Sequence, residues 1–134
     1  MPVPTLVTGA PCWNDLYSSD PDRAADFYGA LFGWTTEPIE QDGNVVYLTW
    51  KLDGRTVGGM LPMGESFPPQ VPANWLPYFG VEDLDATTAT VERLGGRLFA
   101  GPMEMPQGRI SAFADPHGAA FACWAGSYDP PPGG

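Results

Sequence analysis

The chain has little positive charge and no long apolar run. Its 6 Lys and Arg residues face 16 Asp and Glu residues, which gives a formal net charge of −10. Such a surface repels a phosphate backbone, so no nucleic acid partner is expected. No apolar run approaches the roughly 20 residues that span a bilayer, and no membrane partner is expected. No leader-like segment opens the sequence, which predicts a cytoplasmic protein.

Metal-ligating and redox residues are also scarce, with one histidine and two cysteines in 134 residues. Cys12 and Cys123 belong to no Cys-x-x-Cys pair, so they are expected to be buried free thiols rather than zinc or redox sites. His117 lies in a predicted turn, Asp115-Pro116-His117-Gly118, where we expect a solvated side chain. A general-base role for His117 would require this turn to fold over a site.

What the sequence does contain is an internal repeat at an offset of 63 residues. Each copy has an acidic helix start, an amphipathic stretch and a glycine stop. The identical pairs include Ala10 and Ala73, Asp20 and Asp83, Asp22 and Asp85, Leu31 and Leu94, and Gly33 and Gly96. The repeat predicts one domain over 1–134 built from two βαβββ modules, 8–62 and 75–125. A Pro-rich connector, 63–74, joins them, and a flexible tail, 126–134, follows.

Periodicity and turn residues place the elements of each module, with Asp42-Gly43-Asn44 and Asp53-Gly54 as predicted hairpin turns. The first helix is expected to begin at Pro21 and end at Gly33, and the second to be capped by Asp83 or Asp85. Their inner faces are predicted to hold Ala24, Tyr28 and Leu31, flanked by Phe27 and Phe32, and Thr87, Val91 and Leu94. The predicted strands are 8–18, 34–38, 45–52, 56–61, 75–81, one near Leu98, 109–114 and 119–124.

Three stretches carry a resemblance to a known superfamily. They are DPDRAADFYGALFGW at 20–34, VEDLD at 81–85, and Gly108-Arg109-Ile110 with Ala114-Asp115-Pro116-His117-Gly118-Ala119. With the tandem βαβββ pattern, they resemble the vicinal oxygen chelate superfamily, which includes glyoxalase I, extradiol dioxygenases, fosfomycin-modifying enzymes and bleomycin resistance proteins. The resemblance implies an α+β fold with a curved, cup-like mixed sheet, helices on the convex side and ligand on the concave side. It is compatible with a homodimer.

In metal-dependent members of that superfamily, four positions facing the cup carry His, Gln or Glu. The corresponding residues here are Trp13, Gly59, Leu76 and Ala122. None of them has an imidazole, carboxylate or thiolate, so neither a metal nor any other cofactor is predicted. The small Gly59 and Ala122 are instead expected to leave room for a ligand.

Residues two apart on a strand share a face, which extends the predicted site along each strand. The predicted ligand-binding residues are Trp13, Asp15, Tyr17, Gly59, Leu76, Tyr78, Ala122 and Trp124, with Val57, Leu61 and Ala120 on the same faces. Aromatic walls and one carboxylate suit a flat, apolar molecule, and Asp15 favours a cation. Arg109 is expected to lie on the surface or to stabilise a turn. The predicted strands 45–52 and 109–114 are apolar on both faces. The sequence therefore leaves open which way the side chains of Tyr47, Trp50 and Phe113 point.

Three functions follow from this site. The first is metal-independent binding of a small, largely aromatic or apolar molecule in the cup between the modules, as in bleomycin resistance proteins that sequester an antibiotic. The second is a glyoxalase-like lyase, isomerase or hydroxylase that acts on a small metabolite without metal, with Asp15 or a tyrosine as acid or base. The third is an interaction protein whose sheets mainly dimerise.

Overall fold

A computed structural model describes residues 8–64, 72–105 and 108–126. This part of the chain has the predicted α+β fold, in which the order βαβββ occurs twice. The first copy comprises β1 (Pro11–Ser18), α1 (Pro21–Phe32), β2 (Thr35–Gln41), β3 (Asn44–Leu52) and β4 (Arg55–Pro62). The second comprises β5 (Asn74–Gly80), α2 (Leu84–Arg93), β6 (Arg97–Met105), β7 (Gly108–Ala114) and β8 (Ala120–Gly126). Most of the predicted connector, 65–71, and the predicted tail from 127 onwards lie outside the described residues.

The described residues form two compact units. The first unit contains 14–64 and 72–75, and the second contains 8–13, 76–105 and 108–126. The strand order in the first unit is β2-β3-β4-β1, with β1 parallel to β4 and the other pairs antiparallel. In the second unit the order is β5-β8-β7-β6, with β5 parallel to β8. Each unit therefore holds a mixed four-stranded sheet of the same topology.

Equivalent caps begin the two helices. The Asp20 carboxylate accepts a hydrogen bond from the Arg23 N–H at 3.2 Å, and Asp83 accepts one from the Ala86 N–H at 3.0 Å. These bonds satisfy N–H groups that have no partner within the helix. The second helix is thus capped by Asp83, and the two caps are 63 residues apart. Gly33 ends α1 at φ 79°, a left-handed conformation that glycine adopts without strain.

The helix residues that face the core agree only in part with the predicted inner faces. In α1, Ala24 and Tyr28 pack against the core of the first unit as predicted, whereas Leu31 is 56% exposed. Phe27 and Phe32 are exposed as well. In α2, Leu84 is buried and Val91 packs beside it. The placement of Leu94 inside was wrong, because α2 ends at Arg93 and the side chain of its C-cap residue Leu94 is 64% exposed.

Each unit has its own buried cluster. Leu16, Trp50 and Met60 form the first, and Leu84, Phe113 and Cys123 form the second. Trp50 and Phe113 are both fully buried in these clusters. Their side chains therefore point into the cores, a direction that the sequence left open. Neither helix that the structure describes is long and apolar enough to cross a lipid bilayer.

Candidate functional site

Three predicted site residues share one sheet face in the first unit. Asp15 pairs with Gly59, and Tyr17 pairs with Leu61, in the parallel register of β1 and β4. Leu16 packs in the core with α1, so its neighbours Asp15 and Tyr17 point away from that core. We call the surface formed by Asp15, Tyr17 and Gly59 the Asp15 face.

The other predicted site residues belong to the second unit. Tyr78 pairs with Ala122, and Gly80 with Trp124, in the parallel register of β5 and β8. This register repeats that of the first unit, because Asp15 and Gly59 shifted by 63 positions become Tyr78 and Ala122. Leu76, Tyr78 and Ala122 are buried, whereas Trp13 and Trp124 are half-buried.

A short hydrogen bond defines the chemistry of the Asp15 face. The Tyr47 hydroxyl donates to Asp15 Oδ1 at 2.6 Å, and Asp15 is 3% exposed. A hydrogen bond to an ionised carboxylate is shorter and stronger than a neutral one. Tyr47 lies on β3 and is half-buried, so the side chain of Tyr47 covers the carboxylate from a neighbouring part of the sheet. Sequence reasoning did not assign Tyr47 to the site.

The expectation that Gly59 leaves room for a ligand was wrong. A Cβ built on Gly59 would overlap the Tyr47 hydroxyl and would lie 2.5 Å from Asp15 Oδ1. Glycine is therefore needed here because the hydroxyl of Tyr47 rests against the backbone. The sequence resemblance predicts a metal-ligand position at residue 59, and in the structure a phenol hydroxyl from β3 lies beside this residue.

The residues present do not fit the metal that the superfamily resemblance implies. A divalent metal of this kind requires several imidazole, carboxylate or thiolate donors in one place. Among residues 8–64, 72–105 and 108–126, no three His, Cys, Asp or Glu side chains are clustered closely enough to hold one. On the Asp15 face, the described residues offer the carboxylate of Asp15 and the phenols of Tyr17 and Tyr47.

Arg109 forms ion pairs, and His117 lies in an exposed turn. Arg109 forms ion pairs with Glu104 at 3.0 Å and with Asp85 at 3.6 Å. His117 is an exposed residue of the turn between β7 and β8. In that turn, the backbone N–H groups of Ala119 and His117 donate to Asp115 and hold the pKa of its carboxyl below the ordinary value.

Two open cavities lie beside the helices rather than on the Asp15 face. One, of about 400 Å³, is next to α1 and includes Val57, which was predicted on the Asp15 side. Consecutive residues Trp50 and Lys51 pair with Gly58 and Thr56, so Val57 is the extra residue of a β-bulge, which can redirect a side chain. This groove is lined by Asn14, Tyr28, Phe32, Trp34, Val57 and Trp75. The other cavity, of about 340 Å³, lies along α2.

The two buried cysteines are expected to react slowly with thiol reagents. Burial raises the pKa of the Cys12 thiol, and burial together with the nearby Cys12 raises the pKa of Cys123 from 9.0 to about 11. Since the thiolate is the nucleophile, Ellman's reagent at pH 8 should modify the folded protein at least roughly tenfold more slowly than the urea-unfolded protein. Equal rates would contradict the burial of both thiols.

The same shift makes stability depend on alkaline pH. The pKa of Cys123 is higher in the folded state than in the unfolded state, so the contribution of the neutral thiol is complete below pH 9.0 and is lost as pH rises through about 11. The Cys123→Ala variant should therefore show a smaller loss of stability over that range in urea titrations.

Comparison with known proteins gives the family. The family model for the glyoxalase-like domain matches residues 14–123. Anthracycline biosynthesis protein DnrV from Streptomyces peucetius is 41% identical over 128 residues, which cover 87% of this chain and 46% of that protein. The chain belongs to the glyoxalase-like domain family of the vicinal oxygen chelate superfamily. It spans slightly less than half the length of this relative.

Two solved structures show the shared fold. Methylmalonyl-CoA epimerase from Mycobacterium tuberculosis matches with a TM-score of 0.61 at 19% identity, covering 96% of this chain and 94% of that chain. An extradiol ring-cleaving dioxygenase from B. fuscum also has a TM-score of 0.61, at 13% identity, covering 93% of this chain and 34% of that chain. At these identities the similarity concerns the fold alone.

Proposed function

We propose that this protein binds a small, flat, largely aromatic molecule at the Asp15 face without a metal. The observation that carries the proposal is a buried carboxylate, Asp15, which accepts a hydrogen bond from the Tyr47 hydroxyl. Trp13, Tyr78 and Trp124 belong to the second unit and stay predictions from the sequence alone. The relative DnrV is named for anthracycline biosynthesis, and an anthracycline has fused aromatic rings of the expected shape.

Physical chemistry favours a ligand with a positive charge. A buried carboxylate is stabilised most by a charged donor, because such hydrogen bonds are about twice as strong as neutral ones. The net charge of −10 also attracts cations towards the protein. Tyrosine and tryptophan rings stack on flat aromatic molecules. We therefore propose an aromatic ring system that carries an amine as the ligand.

A second candidate function is metal-independent catalysis of the glyoxalase-like type. The specific observation in its favour is the 2.6 Å hydrogen bond that joins Tyr47 to Asp15. Such a pair contains a proton donor and a proton acceptor within transfer distance, as general acid–base catalysis requires. In this case Asp15 removes a proton from a bound metabolite, and Tyr47 holds the carboxylate in position.

Titration with an anthracycline glycoside that carries an amino sugar tests the first function. We expect saturable quenching of tryptophan fluorescence that is unchanged by EDTA, and recovery of the ligand with unchanged mass. Asp15→Asn should weaken binding roughly tenfold, since it replaces a charge-assisted hydrogen bond by a neutral one.

The matched control is Asp26→Asn, which removes the same charge from an exposed position on α1. Its affinity for the glycoside should equal that of the parent protein. Binding that disappears with EDTA, or equal affinities for Asp15→Asn and Asp26→Asn, would contradict the proposal. A change in ligand mass that is lost only in Asp15→Asn would favour the catalytic function.

A further inference from the structure

We infer that Tyr47 is a specificity-determining residue, whose hydroxyl holds the place on Asp15 that an ammonium group of the ligand takes over. In the free protein the phenol donates to the carboxylate, and in the complex the amine donates instead. This inference rests on the proposed function, because it specifies the chemical group that the Asp15 face selects.

The geometry places three groups in one small space. Tyr47 Oη lies 2.6 Å from Asp15 Oδ1 and overlaps the position that a Cβ of residue 59 would take, whereas Asp15 Oδ1 lies 2.5 Å from that position. Asp15 is 3% exposed, whereas Tyr47 is half-buried and so is the more accessible member of the pair. A ligand group that bonds to Oδ1 from the side of Gly59 must therefore displace the hydroxyl.

Exchange of this kind selects a cationic donor. A ligand that displaces Tyr47 without donating in its place leaves the buried Asp15 with one hydrogen bond fewer, so this displacement is unfavourable. An ammonium group replaces a neutral donor by a charged one, and the stronger bond compensates for the loss. The tyrosine thus discriminates against neutral ligands of the same shape.

The variant Tyr47→Phe separates exchange from a supporting role. Removing the hydroxyl destabilises the free state, in which the hydroxyl binds Asp15, but leaves the complex, in which the amine binds Asp15, unchanged. The anthracycline glycoside with a free amine should therefore bind Tyr47→Phe roughly tenfold more tightly than the parent protein. The same glycoside with its amine replaced by hydrogen offers Asp15 no donor at that position and should bind both proteins within about twofold.

Tyr28→Phe is the matched control, because it removes a hydroxyl from the same unit on the opposite sheet face. There, Tyr28 Oη accepts a hydrogen bond from Trp75 Nε1 at 3.0 Å. Affinity for both glycosides should be unchanged in this variant. In an Asp15→Asn background, Tyr47→Phe should no longer tighten binding of the free amine.

The outcomes separate the inference from the function on which it rests. Absence of binding by both glycosides to the folded parent protein overturns the proposed function. Binding to the parent protein, with an equal or weaker affinity of Tyr47→Phe for the free amine, overturns the exchange alone. Thermal melting verifies that each variant is folded. If Tyr47→Phe is not, Tyr47→Leu also removes the hydroxyl and carries the same expectation.

Discussion

Replacing Trp50 by alanine is expected to lower the free energy of unfolding by about 3–5 kcal/mol, the range for deletion of a buried aromatic ring. Trp50 is fully buried, and its ring lies 5.2 Å from that of Trp34 and 5.6 Å from that of Tyr28. Met60 and Leu16 complete this cluster. Alanine would leave a cavity between α1 and the sheet that these side chains can fill only in part.

Urea denaturation followed by circular dichroism measures this loss, with two comparison variants. Phe27→Ala removes an aromatic ring that is 60% exposed, so it should change the free energy of unfolding by less than about 1 kcal/mol. Trp50→Phe should cost less than Trp50→Ala, because it keeps a ring and removes an indole N–H that has no hydrogen-bond partner among the described residues. Equal effects of Trp50→Ala and Phe27→Ala would contradict the placement of Trp50 in the core.

Local signals in the sequence were sufficient to predict the elements. Asp20 and Gly33 bound α1 as expected, since a cap and a left-handed glycine act within a few residues. Asp42-Gly43 and Asp53-Gly54 form the predicted hairpin turns, with positive φ at both residues of each pair. The registers of the two parallel strand pairs in the structure are related by the same 63-residue offset.

Other features depend on packing and were not predictable from local pattern. β3 is apolar on both faces, so alternation could not assign Tyr47 to the Asp15 face or Trp50 to the core. The bulge at Val57 shifts the register of β4 against β3, and no residue of the local sequence indicates it. Leu94 fits the helical period, but the helix ends one residue earlier.

Only part of the candidate site could be predicted, because the rest also depends on packing between strands. Strand alternation placed Asp15 and Tyr17 on a common face, which requires only a period of two. The hydrogen bond from Tyr47 to Asp15 joins residues 32 positions apart, and its presence depends on how β3 pairs with β4. From the sequence, a glycine at position 59 predicts free space beside the strand. In the folded unit, the hydroxyl of Tyr47 fills this space.

Gly59→Ala is expected to lower the free energy of unfolding by about 3 kcal/mol, which combines overpacking with loss of a buried hydrogen bond. The new methyl group would occupy the position of the Tyr47 hydroxyl and would lie 2.5 Å from Asp15 Oδ1. The tyrosine must then move and leave the carboxylate without this donor. Gly64→Ala is the matched control, because a Cβ at Gly64 meets no atom of the described residues within 4 Å. This variant should change the free energy of unfolding by less than about 0.5 kcal/mol.

A double-mutant cycle tests whether Tyr47 is the cause of this cost. In a Tyr47→Ala background, the ring is absent and the methyl group of Gly59→Ala has space. The second substitution should then cost at least about 1 kcal/mol less than it does in the parent protein, a coupling typical of residues in contact. Additive effects would mean that Gly59 is required by its own backbone or by Asp15 alone. Coupling would show that glycine at position 59 makes room for the Tyr47 side chain, which is the condition for any exchange between that tyrosine and a bound amine.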